Sequence, residues 1–108
     1  MAGSTRIVNT PSQAFPTFNV NHAQRVISSS AIPLLANPLS QQTTHVLVQF
    51  NAANVRVRFD GDSPDSSTGF IYTDGSTAYL SRKMAEAAIC ARDDATDCIA
   101  EIQELGYL

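Results

Sequence analysis

The segment from His45 to Asp60 constrains the fold of this chain more strongly than any other part of its sequence. Its two halves, HVLVQFN and VRVRFD, both alternate apolar and polar residues, which is the pattern of strands with one buried face. Ala52 and Ala53 stand between them and leave room for a short turn. We therefore predict an antiparallel hairpin with the cross-strand pairs Phe50–Val55, Val48–Val57 and Val46–Phe59.

This register satisfies both faces of the predicted hairpin. All of the paired apolar residues share one face, and a slip by one residue would turn one strand inside out. The opposite face would pair Gln49 with Arg56, Leu47 with Arg58, and His45 with Asp60. Because Ala-Ala is a poor type I′ turn, a longer loop with Asn51 and Asn54 at positive φ is the alternative.

Further short strands are predicted on both sides of this hairpin. Residues 25–31 form a first core strand. Residues 69–73 and 77–81 flank Asp74-Gly75-Ser76, which is the signal of a second hairpin. The regular alternation of strands and turn formers favours an all-β chain.

Turn and capping residues predict the connections. The segment 60–69 is polar and rich in turn formers, with Asp60 suited to an Asx turn and Gly61 to a positive φ. The sequence RKMAEAA, residues 82–88, predicts a single helical turn with Ser81 as its N-cap.

The C-terminal segment CIAEIQEL, residues 98–105, fits two structures. Its alternation is imperfect, whereas Ile99, Ile102 and Leu105 recur at a helical spacing behind aspartates that suit a helix N-terminus. We favour a strand, because the preceding elements are β and a last strand would complete a sheet.

Together these elements predict an all-β fold, a small antiparallel β-sandwich or barrel with an extended N-terminal arm and one short helical turn near residues 82–88. A chain of 108 residues has the size of one domain. We place the arm at residues 1–24 and the β-sandwich at residues 25–108. The arm holds prolines and scattered apolar residues without a sustained period, so we expect it to lie over a neighbouring subunit. Its candidate partner-binding residues are Phe15, Phe18 and Val20.

Charge is distributed unevenly along the chain. Up to Phe59 the only formally charged side chains are Arg6, Arg25, Arg56 and Arg58, and all 10 acidic residues follow. Such polarity would suit docking head-to-tail with copies of the chain or with a charged neighbour; the alternative is that it arises by chance. The net charge of −3 and the pI of about 5.1 give nucleic-acid binding no electrostatic basis.

The sequence predicts neither a secretion signal nor a membrane anchor. Met1-Ala2-Gly3-Ser4 leads into polar residues rather than into an apolar signal segment. No stretch approaches the roughly 18 consecutive apolar residues of a membrane-spanning helix. We expect the protein to be made in a cytoplasm and to stay there until an assembly carries it out.

No catalytic signature stands out. His45 is predicted to form a surface ion pair with Asp60, and His22 lies in the predicted arm without a motif beside it. The sequence also lacks the G-x-S-x-G pattern of a nucleophile elbow. We predict that the protein is not an enzyme and uses no cofactor.

Asp60, Asp62 and Asp65 have the oxygen-rich spacing of a calcium-binding loop. The EF-hand pattern fails, because its glycine and its closing glutamate are both missing. We therefore favour a role for these residues in shaping a corner of the chain, and predict no metal site.

The two cysteines allow two interpretations. If residues 89–92 pair with the chain from Thr96 onward through a short turn, Cys90 and Cys98 lie opposite each other within disulfide range. Assembly in a reducing cytosol, together with the frequency of buried thiols, favours free cysteines instead.

Phe70, Tyr72 and Tyr79 are predicted on facing strands. An exposed row of aromatic side chains would bind sugar, as in host-attachment modules. Packing in a core or an interface is the more common role of such residues, and the chain has no tryptophan.

The run VLVQFNAANVRVRFDGDSPDSSTGF, followed by YLSRKMAEAAICARDDATDCIAEIQEL, resembles small β-sandwich accessory structural proteins of tailed-bacteriophage particles. The likeness lies in the apolar strand, the N-A-A-N-V-R-type hairpin, the R-x-D-G corner and the S/T-x-G return, followed by a strand, a short alanine-rich turn and a final hairpin. It implies a virion location and a role as decoration, cement, connector or tail accessory protein. The implied partners are capsid or other virion proteins within a homo-oligomer or symmetric assembly, without nucleic acid or membrane.

Overall fold

The computed structural model describes residues 18–106. It contains eight strands and one helix over this range. The strands are β1 Phe18–Ile27, β2 Ile32–Pro33, β3 Thr43–Asn51, β4 Val55–Arg58, β5 Phe70–Tyr72, β6 Thr77–Ser81, β7 Ile89–Arg92 and β8 Cys98–Gly106, and the helix is α1 Arg82–Ala87.

The strands form two four-stranded sheets, in which every pair of neighbouring strands is antiparallel. The strand order is β1-β8-β3-β6 in the first sheet and β2-β7-β4-β5 in the second. The chain changes sheet at each connection except the one between β4 and β5. This order is that of a jelly roll, in which two Greek keys are folded over one core. The predicted antiparallel β-sandwich is therefore confirmed.

The six residues of the predicted apolar face all lie in this core or pack against it, whereas Leu47 points outward and is 41% exposed. The two strands nevertheless do not form the predicted hairpin. Strand β3 pairs with β6 and β8, whereas β4 belongs to the other sheet and pairs with β5 and β7. The side chains of Val46, Val48, Phe50, Val55 and Val57 are at most 1% exposed, and Phe59 packs against them from the margin. The predicted register is wrong because alternation shows which side chains point inward without choosing the partner strand.

The connection between β3 and β4 explains how the chain leaves the first sheet. Ala52 has a φ of 76°, and the next residue, Ala53, is buried. The backbone of Ala52 donates a hydrogen bond to Asp74 Oδ1 at 2.8 Å, and Asn54 Oδ1 accepts one from the backbone of Asp74 at 2.9 Å. These contacts fasten the crossing to the chain between β5 and β6, so that the strands face each other across the core.

The other two predicted hairpins are crossings of the same kind. Strands β5 and β6 lie in different sheets, and so do β7 and β8. Within residues 18–106 the one hairpin between consecutive strands joins β4 to β5 through residues 59–69, with Val55 opposite Tyr72 and Val57 opposite Phe70. In this loop the Asx turn at Asp60 and the positive φ of Gly61 are confirmed.

The predictions for the helical turn and the C-terminal segment are confirmed. Ser81 caps α1 by accepting a hydrogen bond from the backbone of Met84 at 3.3 Å. Residues 98–106 form β8, which lies between β1 and β3. At the end of β8, Gly106 lies so close to the loop before β3 that a Cβ on Gly106 would be 2.0 Å from the carbonyl oxygen of Gln42. A glycine is required there.

The predicted boundary between arm and sandwich falls too late in the chain. Residues 18–24, assigned to the arm from sequence, pair with β8 as part of β1. Strand β1 carries an irregularity between Asn19 and His22 and ends at Ile27, so the predicted strand 25–31 is displaced. The irregularity interrupts the alternation of inward and outward residues, so this part of β1 does not have the sequence pattern of a strand. The rest of the predicted arm, including Phe15, lies outside the described residues.

Candidate interaction surface

The structure separates the groups that sequence analysis had combined into possible sites. His45 does not pair with Asp60, since His45 lies in β3 of the first sheet and Asp60 in the loop that follows β4 of the second. The ring of His45 stacks on Tyr79 with centroids 5.0 Å apart and an angle of 6° between the planes. Asp60 instead accepts a hydrogen bond from Arg58 Nε at 3.1 Å.

Two carboxylates of the loop 60–69 accept hydrogen bonds from nearby residues, Asp65 from within the loop and Asp60 from Arg58 at the end of β4. Asp65 Oδ1 accepts hydrogen bonds from the Thr68 hydroxyl at 2.6 Å and from the backbone of Ser67 at 2.8 Å. These donors, led by the Thr68 hydroxyl, lower the pKa of Asp65 to about 2. Asp60 has a lowered pKa chiefly because of Arg58. Within residues 20–106 no group of three or more histidine, cysteine or acidic side chains is close enough together to hold a metal ion.

Cys90 and Cys98 are free and buried in the core, one in each sheet. The predicted facing pair in a hairpin is therefore wrong, whereas the preference for free thiols is confirmed. Burial raises the pKa of Cys90 to about 12 and that of Cys98 to about 11. Both thiols consequently stay protonated at neutral pH and behave as small apolar side chains.

The predicted aromatic row does not exist. Tyr72 turns inward and packs on Phe50 with centroids 5.0 Å apart and tilted planes, whereas Tyr79 lies in the other sheet beside His45 and is 45% exposed. Phe70 is the most exposed of the three at 66% and lies at the margin of the second sheet.

The exposed apolar surface around Phe70 is the candidate site. Phe70 packs on Phe59 with ring centroids 5.9 Å apart. Phe59 lines two adjoining open hollows, one shared with Phe70 and the other with Met84 of α1, which is 41% exposed. We call Phe59, Phe70 and Met84 the aromatic corner.

The local backbone explains why these side chains are left uncovered. Phe70 is paired with Val57 and so points to the same side as a core residue, but β5 is a short edge strand with β4 as its neighbour in the sheet. Gly69, with a φ of 121°, brings the chain into β5, where a Cβ would lie 3.1 Å from Pro64 and 3.3 Å from the Val57 carbonyl oxygen. The Phe70 ring is thus held at the rim of the sandwich rather than inside it.

Charged side chains of both signs border the aromatic corner. On the hairpin side Arg58 is bonded to Asp60 and lies 3.5 Å from Asp62, so the acids outnumber it. On the helix side Lys83 lines the hollow beside Met84. Glu86 is paired with Arg82 at 3.3 Å, whereas Lys83 has no ion pair within residues 20–106. The corner is therefore apolar at its centre, acidic at one border and basic at the other.

A polar cluster lies on the outer face of the first sheet. His22 contacts Glu101 at 2.7 Å and Gln103 at 3.0 Å, and Gln24 also donates to Glu101. The hydrogen bond to Glu101 raises the pKa of His22, and the same contact lowers the pKa of Glu101. These bonds connect the edge strand β1 to β8, so the cluster supports the sheet.

Folding brings part of the uneven charge of the sequence together. Arg56 pairs with Asp93 at 2.9 Å and Arg58 with Asp60, so two arginines of the N-terminal half meet acids of the C-terminal half. These two arginines are therefore engaged within the chain.

The aromatic corner is not among the sites predicted from the sequence. Phe59 was assigned to the hairpin core, and Met84 was not considered. A signal was present in GFIYT, because Phe70, Ile71 and Tyr72 are three consecutive apolar residues without alternation. Such a run has more apolar side chains than one buried strand face can accept.

Comparisons with protein-family models, with curated proteins and with solved structures found no match to this chain. In the described part of the chain, no helix has the length and apolar character needed to cross a membrane. The fold and the aromatic corner are therefore the basis for a functional proposal.

Proposed function

We propose that this chain is a non-enzymatic structural subunit of a tailed-phage particle, where it decorates or cements the capsid and packs against other protein subunits through the aromatic corner. The observation that carries the proposal is the exposure of Phe70, the most exposed large apolar side chain of the described residues at 66%, beside Phe59 and Met84.

The composition of the corner is that of a protein–protein contact. Aromatic residues and methionine are enriched at the centres of such interfaces, and charged residues at their rims. A contiguous exposed apolar surface is costly for a soluble protein unless a partner covers it. Phe70 is held by a glycine-led edge strand, so its position does not have to be organised on binding.

The jelly-roll strand order supports a virion role by analogy. Viral capsid domains and lectins both use this architecture, and a fold by itself does not specify a function. The resemblance of residues 46–70 to phage accessory proteins favours the virion. A connector or tail accessory role would use the same docking surface.

The alternative of a sugar-binding adhesive module is less well supported. It relied on a row formed by Phe70, Tyr72 and Tyr79. Tyr72 packs against the core residue Phe50, and Tyr79 lies in the other sheet from Phe70, so the three rings do not form a row. A shallow apolar corner suits a protein surface better than a sugar, which needs several directed hydrogen bonds.

Particle incorporation tests the proposal. The full-length variant Phe70→Asp should keep its fold and be lost from purified particles when it replaces the wild-type chain in a phage-producing host. Val26→Asp is the matched control, because Val26 is 58% exposed on the first sheet, away from the corner. It should be incorporated normally. A folded Phe70→Asp protein that enters particles at the wild-type level would refute the proposal.

The arm requires a separate deletion. Because β1 begins at Phe18, removing residues 2–17 spares the strand, whereas a longer deletion would remove residues that pair with β8. We expect the shortened chain to remain folded by circular dichroism and to be incorporated poorly. Incorporation at the wild-type level would show that Phe15 and its neighbours make no essential contact.

A further inference from the structure

We infer that the subunit covering the aromatic corner is a second copy of this chain, related to the first by a two-fold axis through the corner. This inference rests on the proposed function, which requires that another subunit covers the corner, and it adds the identity and the symmetry of that subunit.

The arrangement of charge around the corner carries the inference. Phe59 lies at the centre, where the two hollows meet. Asp60 lines the hollow on the hairpin side, with Asp62 two residues further along the same loop. Lys83 lines the hollow on the helix side together with Glu86, which is already paired with Arg82. A two-fold rotation about the centre places Lys83 of each copy against the acidic loop of its partner. A surface that is self-complementary in this way is what a two-fold interface requires.

The state of the individual charges strengthens this argument. The side chain of Asp62 is 76% exposed and lies 3.5 Å from an arginine that Asp60 already engages. Lys83 has no ion-pair partner in the part of the chain that the structure describes. Each copy thus has an exposed carboxylate, Asp62, and an ammonium group without an ion pair in the described residues, Lys83. The two-fold dimer would form two ion pairs between them, one on each side of the axis.

The apolar centre favours the same arrangement. Phe70 and Phe59 would meet their symmetry mates across the axis, which gives an aromatic cluster of four rings. The corner consists of three side chains, whereas a standard interface buries about 800 Å² per partner, so we expect a reversible dimer whose population depends on concentration. Each dimer would present two arms to the particle, and simultaneous attachment of both increases the effective affinity.

Sedimentation equilibrium of the full-length protein tests the inference directly. The wild-type chain should show a monomer–dimer equilibrium without larger species. Phe70→Asp should abolish the dimer, and the control Val26→Asp should not change it. A wild-type protein that remains monomeric at millimolar concentration, or that forms open-ended oligomers, would overturn the inference.

A charge exchange provides a second test that does not depend on removing an aromatic ring. Lys83→Glu places like charges against the acidic loop twice per dimer and should weaken dimerisation about fivefold or more, given the usual energies of exposed ion pairs. Adding Asp62→Lys to the same chain restores opposite charges and should recover most of the loss. If the double variant is weaker than Lys83→Glu alone, the two-fold pairing is wrong.

The two proposals fail in different ways. If the wild-type chain does not dimerise and Phe70→Asp is still lost from particles, the corner contacts a different virion protein, and only the inference of a second copy is overturned. If Phe70→Asp abolishes the dimer and yet enters particles normally, the two-fold pair is retained and the proposed role of the corner in the particle fails.

Discussion

Strands β3 and β5 are both rich in apolar residues, yet one builds the core and the other builds a surface. Strand β3 has a hydrogen-bonded neighbour on each side, and its inward side chains Val46, Val48 and Phe50 are almost completely buried. Strand β5 has one such neighbour and lies at an edge, where Phe70 remains 66% exposed although it points to the same side as Val57. Burial thus depends on the place of a strand in its sheet as much as on the residues it carries.

Replacing one phenylalanine in each strand with alanine should give the largest effect on stability and the clearest difference between the two strands. Phe50→Ala removes a ring that is 1% exposed and stacks on Tyr72, so we expect a loss of about 3–5 kcal/mol in the free energy of unfolding. Phe70→Ala should cost about 1 kcal/mol or less, because most of the ring is already in water. Urea denaturation of both variants measures the two values. Similar losses would mean that Phe70 belongs to the core.

Gly106, at the end of β8, tests how tightly the interior strands of the first sheet are packed. Gly106→Ala would place a Cβ against the Gln42 carbonyl, so the loop or the strand must shift, at a cost of about 1–3 kcal/mol. Gly61→Ala is the control, since its Cβ would meet nothing within 4 Å and only the positive φ opposes it. The thermal unfolding midpoints of both variants are measured against that of the wild-type protein, so that Gly61→Ala gives the cost of backbone strain without crowding. A Gly106→Ala midpoint equal to that of the wild-type protein would contradict the close approach.

The attachment of the edge strand β1 gives the smallest expected effect. The pKa of His22 is raised from 6.5 in the folded protein by its hydrogen bond to Glu101, so its contribution to stability is complete below about pH 6.5 and is lost as the pH rises through the folded pKa. The pKa of Glu101 is lowered from 4.5, so its contribution is present above pH 4.5 and is lost as the pH falls through its own folded pKa. The contact should therefore stabilise β1 most between these two limits.

The variant His22→Gln measures this contribution. As the pH rises from 6 to 8, the thermal unfolding midpoint of the wild-type protein should decrease slightly more than that of the variant. NMR titration of the His22 ring provides an independent reading of its pKa. A wild-type protein and a variant with parallel midpoints over this range would show that the contact between His22 and Glu101 adds no measurable stability.

Much of the local structure could be predicted from the sequence. The inward residues of β3 and β4, the cap at Ser81, the short α1 and the Asx turn at Asp60 all depend on interactions between near neighbours or on simple alternation. The predicted hairpins failed together, because each was proposed between strands adjacent in the chain. In a jelly roll most consecutive strands lie in opposite sheets, and a crossing such as Asn51–Asn54 looks like a turn in the sequence.

The aromatic corner could not be predicted for a related reason. Phe59, Phe70 and Met84 come from a strand end, an edge strand and a helix, and the sequence separations between them give no sign of contact. The apolar run Phe70-Ile71-Tyr72 indicates that some apolar side chain must stay outside the core, but not which one. Only the position of β5 at the rim decides that Phe70 is exposed while Val57, its partner in β4, is buried.

The sequence by itself determined that the chain is all-β, which residues turn inward and where the chain changes direction, because these properties follow from backbone preferences and from the burial of one face of a strand. The tertiary structure alone decided which strands are neighbours, where Cys90 and Cys98 lie and which apolar side chains remain on the surface. Pairing joins residues far apart in the chain, and its free energy depends on how both sheets close over one shared core.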